Sequence, residues 1–339
     1  MAVRSALVAS VLVLAGCAGN TPTAADAVGE GAKSSAVPAL PPADCVGTLQ
    51  ERINAAPSGS TLNLTGCTFT GGATINKPLT LVGATIETGA SKMGLTVTAS
   101  NVTLRGLHIT GPQAVSFDGK EKAIDVPGSA SSPVDNLVIR DCFLRRFGYG
   151  GIYVRHATDL TIRDNTIQDG VYAGIMVLSS VGGLITGNTV ERIGVVGAGA
   201  NGNAYGIALT QATTADPRST DIVVDANEIT DVPTWHGLDT HGGARIIWTG
   251  NIVRGARDGI FITGWPTNRA LDNVIDGNEF HNTINSNQYG ITSVYSTGGS
   301  VTGNTISGWQ SGHAILTTSG RDSAATAVDL TVSGNIIQP

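Results

Sequence analysis

The chain has 339 residues, of which 41% are hydrophobic and 14% are charged, and this composition excludes a disordered chain. Its net charge of −6 argues against a nucleic-acid partner, because no basic stripe is present to neutralise phosphates. The 45 glycines exceed the usual share of roughly 7%, and aromatic residues make up only 5%. Together these features favour many short strands joined by tight turns.

The first 17 residues have the pattern of a targeting sequence. Arg4 precedes a short apolar run over residues 6–15. The run ends in LAGC at residues 14–17, which resembles a bacterial lipobox. The resemblance implies cleavage before Cys17, a lipid on its sulfur, and a protein held at the extracytoplasmic side of the bacterial cell envelope by that lipid alone. An ordinary secretory signal is the alternative. No later apolar run reaches about 18 residues, so no membrane-spanning helix is expected.

Residues 18–43 are rich in Ala, Thr, Ser, Gly and Pro without periodicity, which predicts a flexible tether before a single domain over residues 44–339. Three cysteines remain after the lipobox. Cys45 and Cys67 flank the first predicted element, and because export permits disulfides we expect a bridge between them. Cys142 is then expected to be a buried free thiol.

The first predicted element is an amphipathic helix over residues 46–56, with Leu49, Ile53 and Ala56 on one face. The run from this helix onward, TLQERINAAPSGSTLNLTGCTF, resembles the entry to pectate-lyase-like β-helices. The resemblance implies that the helix plugs the first coil of a solenoid.

Two short patterns alternate along the rest of the chain. In one, apolar and polar residues alternate up to an asparagine, as in LTIRDNTI around Asn165, and in the other Gly-Ile opens a strand, as at Gly151. The first pattern recurs at Asn188, Asn227, Asn251, Asn278, Asn304 and Asn335, with Cys142 at the same position in one copy. The second recurs at Gly174, Gly206, Gly237, Gly259 and Gly290, with degenerate copies at Ala123 and Ala314.

The period of about 23 residues is too short for a βαβ unit, which needs roughly 30 residues, and a fixed period in this range predicts a solenoid. We therefore predict an all-β fold, a right-handed parallel β-helix with about three short strands per coil and an N-terminal capping helix. Neighbouring coils are expected to lie roughly 4.8 Å apart. The asparagines are interpreted as a structural ladder without catalytic function.

Extra residues interrupt the repeat at 194–204, 211–220 and 264–272. These insertions flank the Gly-Ile strands of neighbouring coils, where they are expected to wall a groove.

Outward-facing residues of the same strands place several titratable groups on one strip. We take the residues two and four past each Gly, and the one before it, to face outward. This predicts a candidate catalytic cluster of Asp239, His241, His236, Asp258, Tyr205 and Tyr289.

The segment from Gly237 to His241 resembles the Gly-Phe-Asp-Pro-His core of mannuronan C5-epimerases. Asp239 and His241 match the Asp and His of that family, whereas His236 stands where the family has Tyr. Tyr205 or Tyr289 is a candidate replacement for the missing tyrosine.

The resemblance implies a uronate polymer as partner and removal of the proton at C5. Arg155 and Arg257 are the candidate cations for the substrate carboxylate, and Tyr153, Phe261 and Trp265 complete the predicted substrate-binding set. After proton removal, return of a proton gives epimerisation, and loss of the C4 oxygen gives lyase cleavage.

Two alternatives stay open at this point. A glycoside hydrolase on the same fold would use Asp239 and Asp258 as its carboxyl pair. A non-catalytic surface glycan binder or structural protein is the other alternative. No cofactor or metal is predicted, since no motif supports Ca²⁺ binding by Asp125, Asp239 or Asp258. A capped solenoid is expected to be a monomer.

Overall fold

The computed structural model describes residues 45–113, 115–197, 199, 202–213, 215–310, 312–318 and 323–339. The predicted signal sequence of residues 1–17, with Cys17, and the predicted tether of residues 18–43 lie outside these ranges. Among the described residues, no helix has the length and apolarity needed to cross a membrane.

A short helix, α1 (Leu49–Ala55), precedes the strands, as predicted. Thr48 and Glu51 form a reciprocal capping box at its N-terminus, which satisfies two backbone N–H groups. Leu49 and Ile53 are buried against the first coil, so the helix closes the N-terminal end of the hydrophobic core.

The chain then coils through three parallel faces, each strand pairing with its equivalent one coil away. The first face contains β1 (Thr61–Asn63), β4 (Leu79–Val82), β7 (Val102–Arg105), β10 (Val134–Asp135), β11 (Leu137–Arg140), β14 (Ala157–Arg163), β17 (Val181–Thr186), β20 (Thr220–Asp225), β22 (Ile247–Thr249), β25 (Val274–Asp276), β29 (Ser300–Thr302) and β32 (Thr331–Ser333). The second contains β2 (Thr68–Thr70), β5 (Thr85–Glu87), β8 (His108–Thr110), β12 (Phe143–Phe147), β15 (Thr166–Gly170), β18 (Thr189–Ile193), the first parts of β21 (Glu228–His241) and β23 (Ile252–Thr263), β26 (Glu279–His281), β30 (Thr305–Ser307) and β33 (Ile336–Gln338).

The third face contains β3 (Ala73–Ile75), β6 (Met93–Val97), β9 (Lys122–Pro127), β13 (Gly150–Arg155), β16 (Ala173–Leu178), β19 (Tyr205–Thr210), the second parts of β21 and β23, β27 (Ile291–Ser293) and β31 (Ile315–Leu316). A two-stranded pair, β24 (Ala270–Leu271) with β28 (Ser296–Thr297), lies outside these faces. All of the named strand pairs are parallel, which confirms the predicted β-helix.

The Gly-Ile repeat forms the third face for two physical reasons. Its isoleucine or leucine points inward and stacks in register with the next, as Ile207 does on Leu238, and both side chains are fully buried. The preceding glycine lies where coils approach most closely. A Cβ at Gly206 would stand only 2.4 Å from the carbonyl oxygen of Gly237, so no larger residue fits there.

The predicted asparagine ladder is present at the corner between the first and second faces. Oδ1 of Asn227 accepts hydrogen bonds from the backbone N–H and the Nδ2 of Asn188 at 3.0 and 2.9 Å. Asn227 in turn donates to Asn251 in the same way. Cys142 occupies one ladder position, where its N–H donates to Oδ1 of Asn165 at 3.0 Å.

The cysteines have the states expected from the sequence. Cys45 and Cys67 form a disulfide. Cys142 is a buried free thiol, and burial raises its pKa to about 12. It is therefore a structural residue rather than a reactive one.

Long loops border the third face, as the insertions predict. Residues 194–204 join β18 to β19, residues 211–219 join β19 to β20, and residues 264–269 join β23 to β24. The last two loops are shorter than predicted because β20 begins at Thr220 and β24 at Ala270. A further long loop, which the sequence analysis did not identify, covers residues 111–121 between β8 and β9.

Replacing Asn227 by alanine is expected to lower the free energy of unfolding by about 2–4 kcal/mol, because the buried backbone N–H of Asn188 loses its acceptor and the buried carbonyl of Ile185 loses the Nδ2 donor of Asn227. Asn335→Ala is the matched control. Asn335 is half-buried at the C-terminal end of the ladder, so water can replace its contacts and the loss should stay below about 1 kcal/mol. Urea denaturation followed by circular dichroism measures both, and equal losses would contradict the buried-ladder explanation.

Candidate active site

Three columns of outward-facing side chains meet at β21 on the third face. Parallel pairing in register places equivalent residues of successive coils directly above one another, roughly 4.8 Å apart. Read from β19 through β21 to β23, the columns are Tyr205, His236 and Asp258; Ala208, Asp239 and Phe261; and Thr210, His241 and Thr263.

Asp239 is the centre of this arrangement. Its Oδ2 accepts a hydrogen bond from Nδ1 of His236 at 2.6 Å. Nε2 of His241 lies 3.3 Å from the same oxygen, in an ion-pair contact whose angle is poor for a hydrogen bond. The Asp239 side chain is 3% exposed and that of His241 is 35% exposed. A substrate can therefore reach His241 while the carboxylate is covered.

Burial and charge act in opposite directions on this pair. Burial alone would raise the pKa of the Asp239 carboxyl, but the charge of His241 and the hydrogen bond from His236 hold it at about 2. Burial lowers the pKa of His241, but the charge of Asp239 outweighs this effect and raises it above the ordinary value of about 6.5. Their attraction therefore stabilises the fold below that ordinary value and is lost as the pH rises through the raised pKa of His241.

His236 is enclosed on several sides. Its ring stacks on Phe261 with centroids 4.4 Å apart, and its Nε2 lies 3.7 Å from Oδ2 of Asp258. Oδ2 of Asp258 also accepts a hydrogen bond from Nε of Arg257 at 3.0 Å, and the guanidinium of Arg257 lies 3.6 Å from the centroid of the Trp235 ring. These contacts fix the orientation of His236, which makes it a positioning residue for Asp239.

A cavity of about 290 Å³ opens beside Asp239 and His241. Met176 and Ala208 form its floor. Ala208 is small and lies between Met176 and Asp239 in the column, so it leaves space above it. We call it the tyrosine cavity. Its lining consists of Tyr149, Tyr153, Tyr172, Met176, Leu178, Tyr205, Ala208, Thr210, Gln211, Ala212, Asp239 and His241.

The four tyrosines of this cavity form a continuous row of ring contacts. The ring centroid of Tyr149 lies 5.2 Å from that of Tyr153 and 5.0 Å from that of Tyr172. Tyr172 meets Tyr205 edge-on at 5.4 Å. Burial raises the pKa of Tyr172 to about 12, and burial together with the charge of Asp239 raises that of Tyr205 further. Both phenols therefore stay protonated at neutral pH and can donate.

A second cavity of about 800 Å³ lies between the loops of residues 211–219 and 264–269. The loops are tied together by Asn268, whose Nδ2 donates to Gln211 at 2.7 Å and whose Oδ1 accepts from Arg218. Trp265 lines this cavity and meets the ring of His241 edge-on at 6.4 Å. We call it the loop cavity.

Comparison with known families agrees with this architecture. A family model described as the right handed beta helix region matches residues 53–281. The chain belongs to this family. No curated protein matches the chain.

Solved structures that share the fold include three from carbohydrate-related and phage proteins. The DFA-IIIase of Arthrobacter chlorophenolicus A6 in complex with DFA-III is 16% identical, with 88% of this chain and 82% of that one covered and a TM-score of 0.63. The A-module of the mannuronan C-5 epimerase AlgE4 of Azotobacter vinelandii is 14% identical over 88% and 95% of the two chains, with a TM-score of 0.51. The enzymatically active domain of tailspike protein 2 of bacteriophage CBA120 is 14% identical over 85% and 44%, with a TM-score of 0.54. At these identities the likeness shows the fold alone.

The structure of this β-helix protein brings together only part of the predicted site. The predicted residues that line the tyrosine cavity are Asp239, His241, Tyr205 and Tyr153. Trp265 lines the loop cavity instead. The predicted residues that line neither cavity are His236, Asp258, Arg257, Phe261, Arg155 and Tyr289.

The predicted residues outside the cavities have other contacts. Arg257 was expected to meet a substrate carboxylate, but it is occupied by Asp258. Arg155 lies at the end of β13, paired with Leu178 of the following coil, and it does not line the tyrosine cavity. Tyr289 stacks on His313 with ring centroids 4.7 Å apart, so it does not replace the missing tyrosine of the motif.

Two tyrosines of the site are not among the residues predicted from the sequence. Tyr149 and Tyr172 each stand two residues before the glycine of a Gly-Ile strand, in consecutive coils 23 residues apart. That shared position is a usable signal. It was overlooked because the alternation rule concerns strand residues, whereas Tyr149 and Tyr172 come just before β13 and β16.

The central trio could also be considered as metal ligands, since one ligand atom from each of His236, Asp239 and His241 lies within 4.8 Å of the others. Zinc bonds of about 2.0–2.1 Å space tetrahedral ligand atoms roughly 3.3 Å apart. Nδ1 of His236 and Oδ2 of Asp239 are only 2.6 Å apart, which is a hydrogen-bond distance. We therefore describe the trio as a hydrogen-bonded pair of His236 and Asp239 with His241 in ion-pair contact.

Replacing Asp239 by asparagine is expected to lower the pKa of His241, because the variant removes the charge that raises this pKa while the burial that lowers it remains. NMR titration of the histidine ring signals measures the change. Glu279→Gln is the matched control, since it removes a carboxylate beside another histidine, His281, on the second face. An unchanged His241 titration in the Asp239→Asn variant would contradict the assignment.

Proposed function

We propose that this β-helix protein is an enzyme that acts on a uronate-containing polysaccharide by moving the C5 proton of a sugar unit, as a lyase or a C5-epimerase. The observation that carries the proposal is the buried, ionised carboxylate of Asp239 between two histidines, of which only His241 faces the tyrosine cavity. Two fold neighbours add support, since one is in complex with DFA-III and another is a mannuronan C-5 epimerase.

His241 is the group to which we assign removal of the C5 proton. Asp239 lies beside Nε2 and favours the tautomer that carries its proton there, which leaves Nδ1 free to accept. A raised pKa makes the ring a stronger proton acceptor once it is neutral. Asp239 itself is a poor proton carrier, because its carboxyl stays ionised at neutral pH.

The protonated tyrosines complete the reaction. When His241 takes the C5 proton, the electron pair of that bond moves toward the carboxyl group of the sugar. In an epimerase, Tyr172 or Tyr205 returns a proton to C5 from the opposite face. In a lyase, the C4–O bond breaks, a C4=C5 double bond forms, and the leaving oxygen takes a proton from Tyr172 or Tyr205.

Recognition of the carboxyl group also falls to the tyrosines. The described residues that line the tyrosine cavity include no lysine or arginine. The hydroxyl groups of Tyr172 and Tyr205, which stay protonated, are the donors assigned here, and they would stabilise the charge that develops on the carboxyl oxygens.

A hydrolase is less well supported by the same geometry. A glycoside hydrolase needs two carboxyl groups that face the same sugar bond. Asp239 contacts both histidines, and Asp258 is 3% exposed, paired with Arg257 and absent from the cavity lining. A non-catalytic glycan binder is the remaining alternative. The activity experiment below distinguishes it from an enzyme.

Incubation of the purified protein with a panel of polyuronates in D₂O tests the proposal. A lyase produces ultraviolet absorbance from unsaturated ends, whereas an epimerase introduces deuterium at C5 without cutting the chain. His241→Gln is expected to lower kcat by about 10²–10⁴-fold, since it removes the proton acceptor.

His281→Gln is the matched control for that experiment. His281 lies on the second face, bonded to Ser307 and Glu279, and its replacement should leave the activity unchanged. New reducing ends without absorbance or deuterium would favour the hydrolase, and binding without any reaction would favour the glycan binder.

We also propose that the enzyme is anchored at the extracytoplasmic side of the cell envelope through a lipid on Cys17. Membrane fractionation and mass spectrometry of the mature N-terminus in bacterial cells test this. Cys17→Ser should release the protein from the membrane fraction, because the acyl chains supply the attachment. Retention of the variant in that fraction would contradict the anchor.

A further inference from the structure

The tyrosine cavity has reactive groups at one end and a wall at the other. Its lining begins with Tyr153 on β13 and ends with Asp239 and His241 on β21. Among the described residues, none of the preceding strand β9 contributes to the lining. The cavity therefore extends from the reactive groups toward the N-terminal coils and stops there.

Tyr153 is the base of the wall. Its ring is only 9% exposed, because Nζ of Lys122 lies 4.4 Å from its centroid and the ring of Tyr149 lies 5.2 Å from it. Lys122 is held in place by Asp125 at 3.0 Å. The groove floor is therefore filled at the level of β9 and β13.

Residues 115–121, which precede β9, add the upper part of the wall. Phe117 from this loop stacks on Tyr149 with centroids 5.6 Å apart and meets Tyr172 at 5.4 Å. Glu121 braces the loop, because its carboxylate accepts from the N–H of Ser116 at 3.1 Å. Three aromatic rings from different segments are thus packed across one end of the groove.

The space between the wall and the reactive groups is short. From β13 to β21 there are three steps between coils, or roughly 14 Å at about 4.8 Å per step. A volume of about 290 Å³ is at the lower end of small-molecule sites, which start near roughly 300 Å³. The loop cavity, which shares Gln211 with the tyrosine cavity and contains Trp265 beside His241, is far larger, at about 800 Å³.

Resting on the proposed function, we infer that the enzyme works in exo mode. One end of the polysaccharide enters the tyrosine cavity and stops at the wall of Tyr153, Tyr149 and Phe117. The reacting unit then lies a fixed and short distance from that end, beside His241, and the rest of the chain leaves past Trp265.

Product analysis at early times with end-labelled polyuronate tests the inference. A lyase is expected to release one short oligosaccharide from the start while the viscosity of the polymer hardly changes. An epimerase is expected to place deuterium from D₂O only in units near one chain end. Products of all lengths with rapid loss of viscosity, or deuterium throughout the chain, would overturn the exo mode while the proposed function stands.

Variants of the wall provide the second test. Phe117→Ala removes a ring that is 42% exposed, so the fold should tolerate it, and Tyr149→Ala opens the wall further. Both are expected to shift the main product to longer oligosaccharides, or the deuterium to units farther from the end. Phe143→Ala, which removes a ring of the second face packed on His108, is the matched control and should change nothing.

Two results distinguish failure of the exo mode from failure of the proposed function. Unchanged product positions in both wall variants would overturn the wall as the determinant of exo action. Absence of C5 exchange and of C4 elimination on every polyuronate would overturn the proposed function and the exo mode with it.

Discussion

Parallel stacking of coils in register is the constraint on which the rest of this structure depends. A spacing of roughly 4.8 Å between coils leaves no room for a side chain near the beginning of the third-face strands, where a Cβ at Gly206 would meet the carbonyl oxygen of Gly237, and this explains the glycines. It also brings each asparagine within hydrogen-bond distance of the next, as Asn188 and Asn227 show. The same spacing repeats every outward side chain in columns. Any chemistry on the third face must therefore be assembled from residues of adjacent coils.

The stacked columns allow the site to bury the charged carboxylate of Asp239. An ionised carboxylate in the interior is costly unless it is paired, and Asp239 obtains its partners from positions three residues before and two residues after it. The neighbouring coil supplies Phe261 beneath His236 and Asp258 beside it. As a result, one histidine is held rigid and the other remains accessible. This division of roles is what makes the cluster suited to proton transfer rather than to a merely solvated surface.

The features that follow the sequence repeat could be predicted, whereas those that lie where the repeat is interrupted could not. The capping helix, the asparagine ladder and the columns through Asp239 follow from spacing, and the structure confirms them. The sequence analysis missed the loop of residues 111–121, because the adjacent strand opens with Ala123 rather than glycine and the repeat is degenerate there. Arg257 was likewise expected to face the substrate, because the repeat places its charge near the site. The repeat does not show that Arg257 forms an ion pair with Asp258.

The sequence by itself determined the fold and the register, because a 23-residue period with alternating apolar residues is compatible with few other architectures. It also determined that Asp239 and His241 face outward on the same strand. Only the tertiary structure decided which outward residues meet in a cavity, since that depends on how irregular loops and large rings pack between coils. The wall at Phe117 arises from such packing, because Phe117 lies outside the regular repeat. Tyr149 and Tyr172 do share one position of the repeat, but only the tertiary structure shows that their rings pack with Tyr205 into one row.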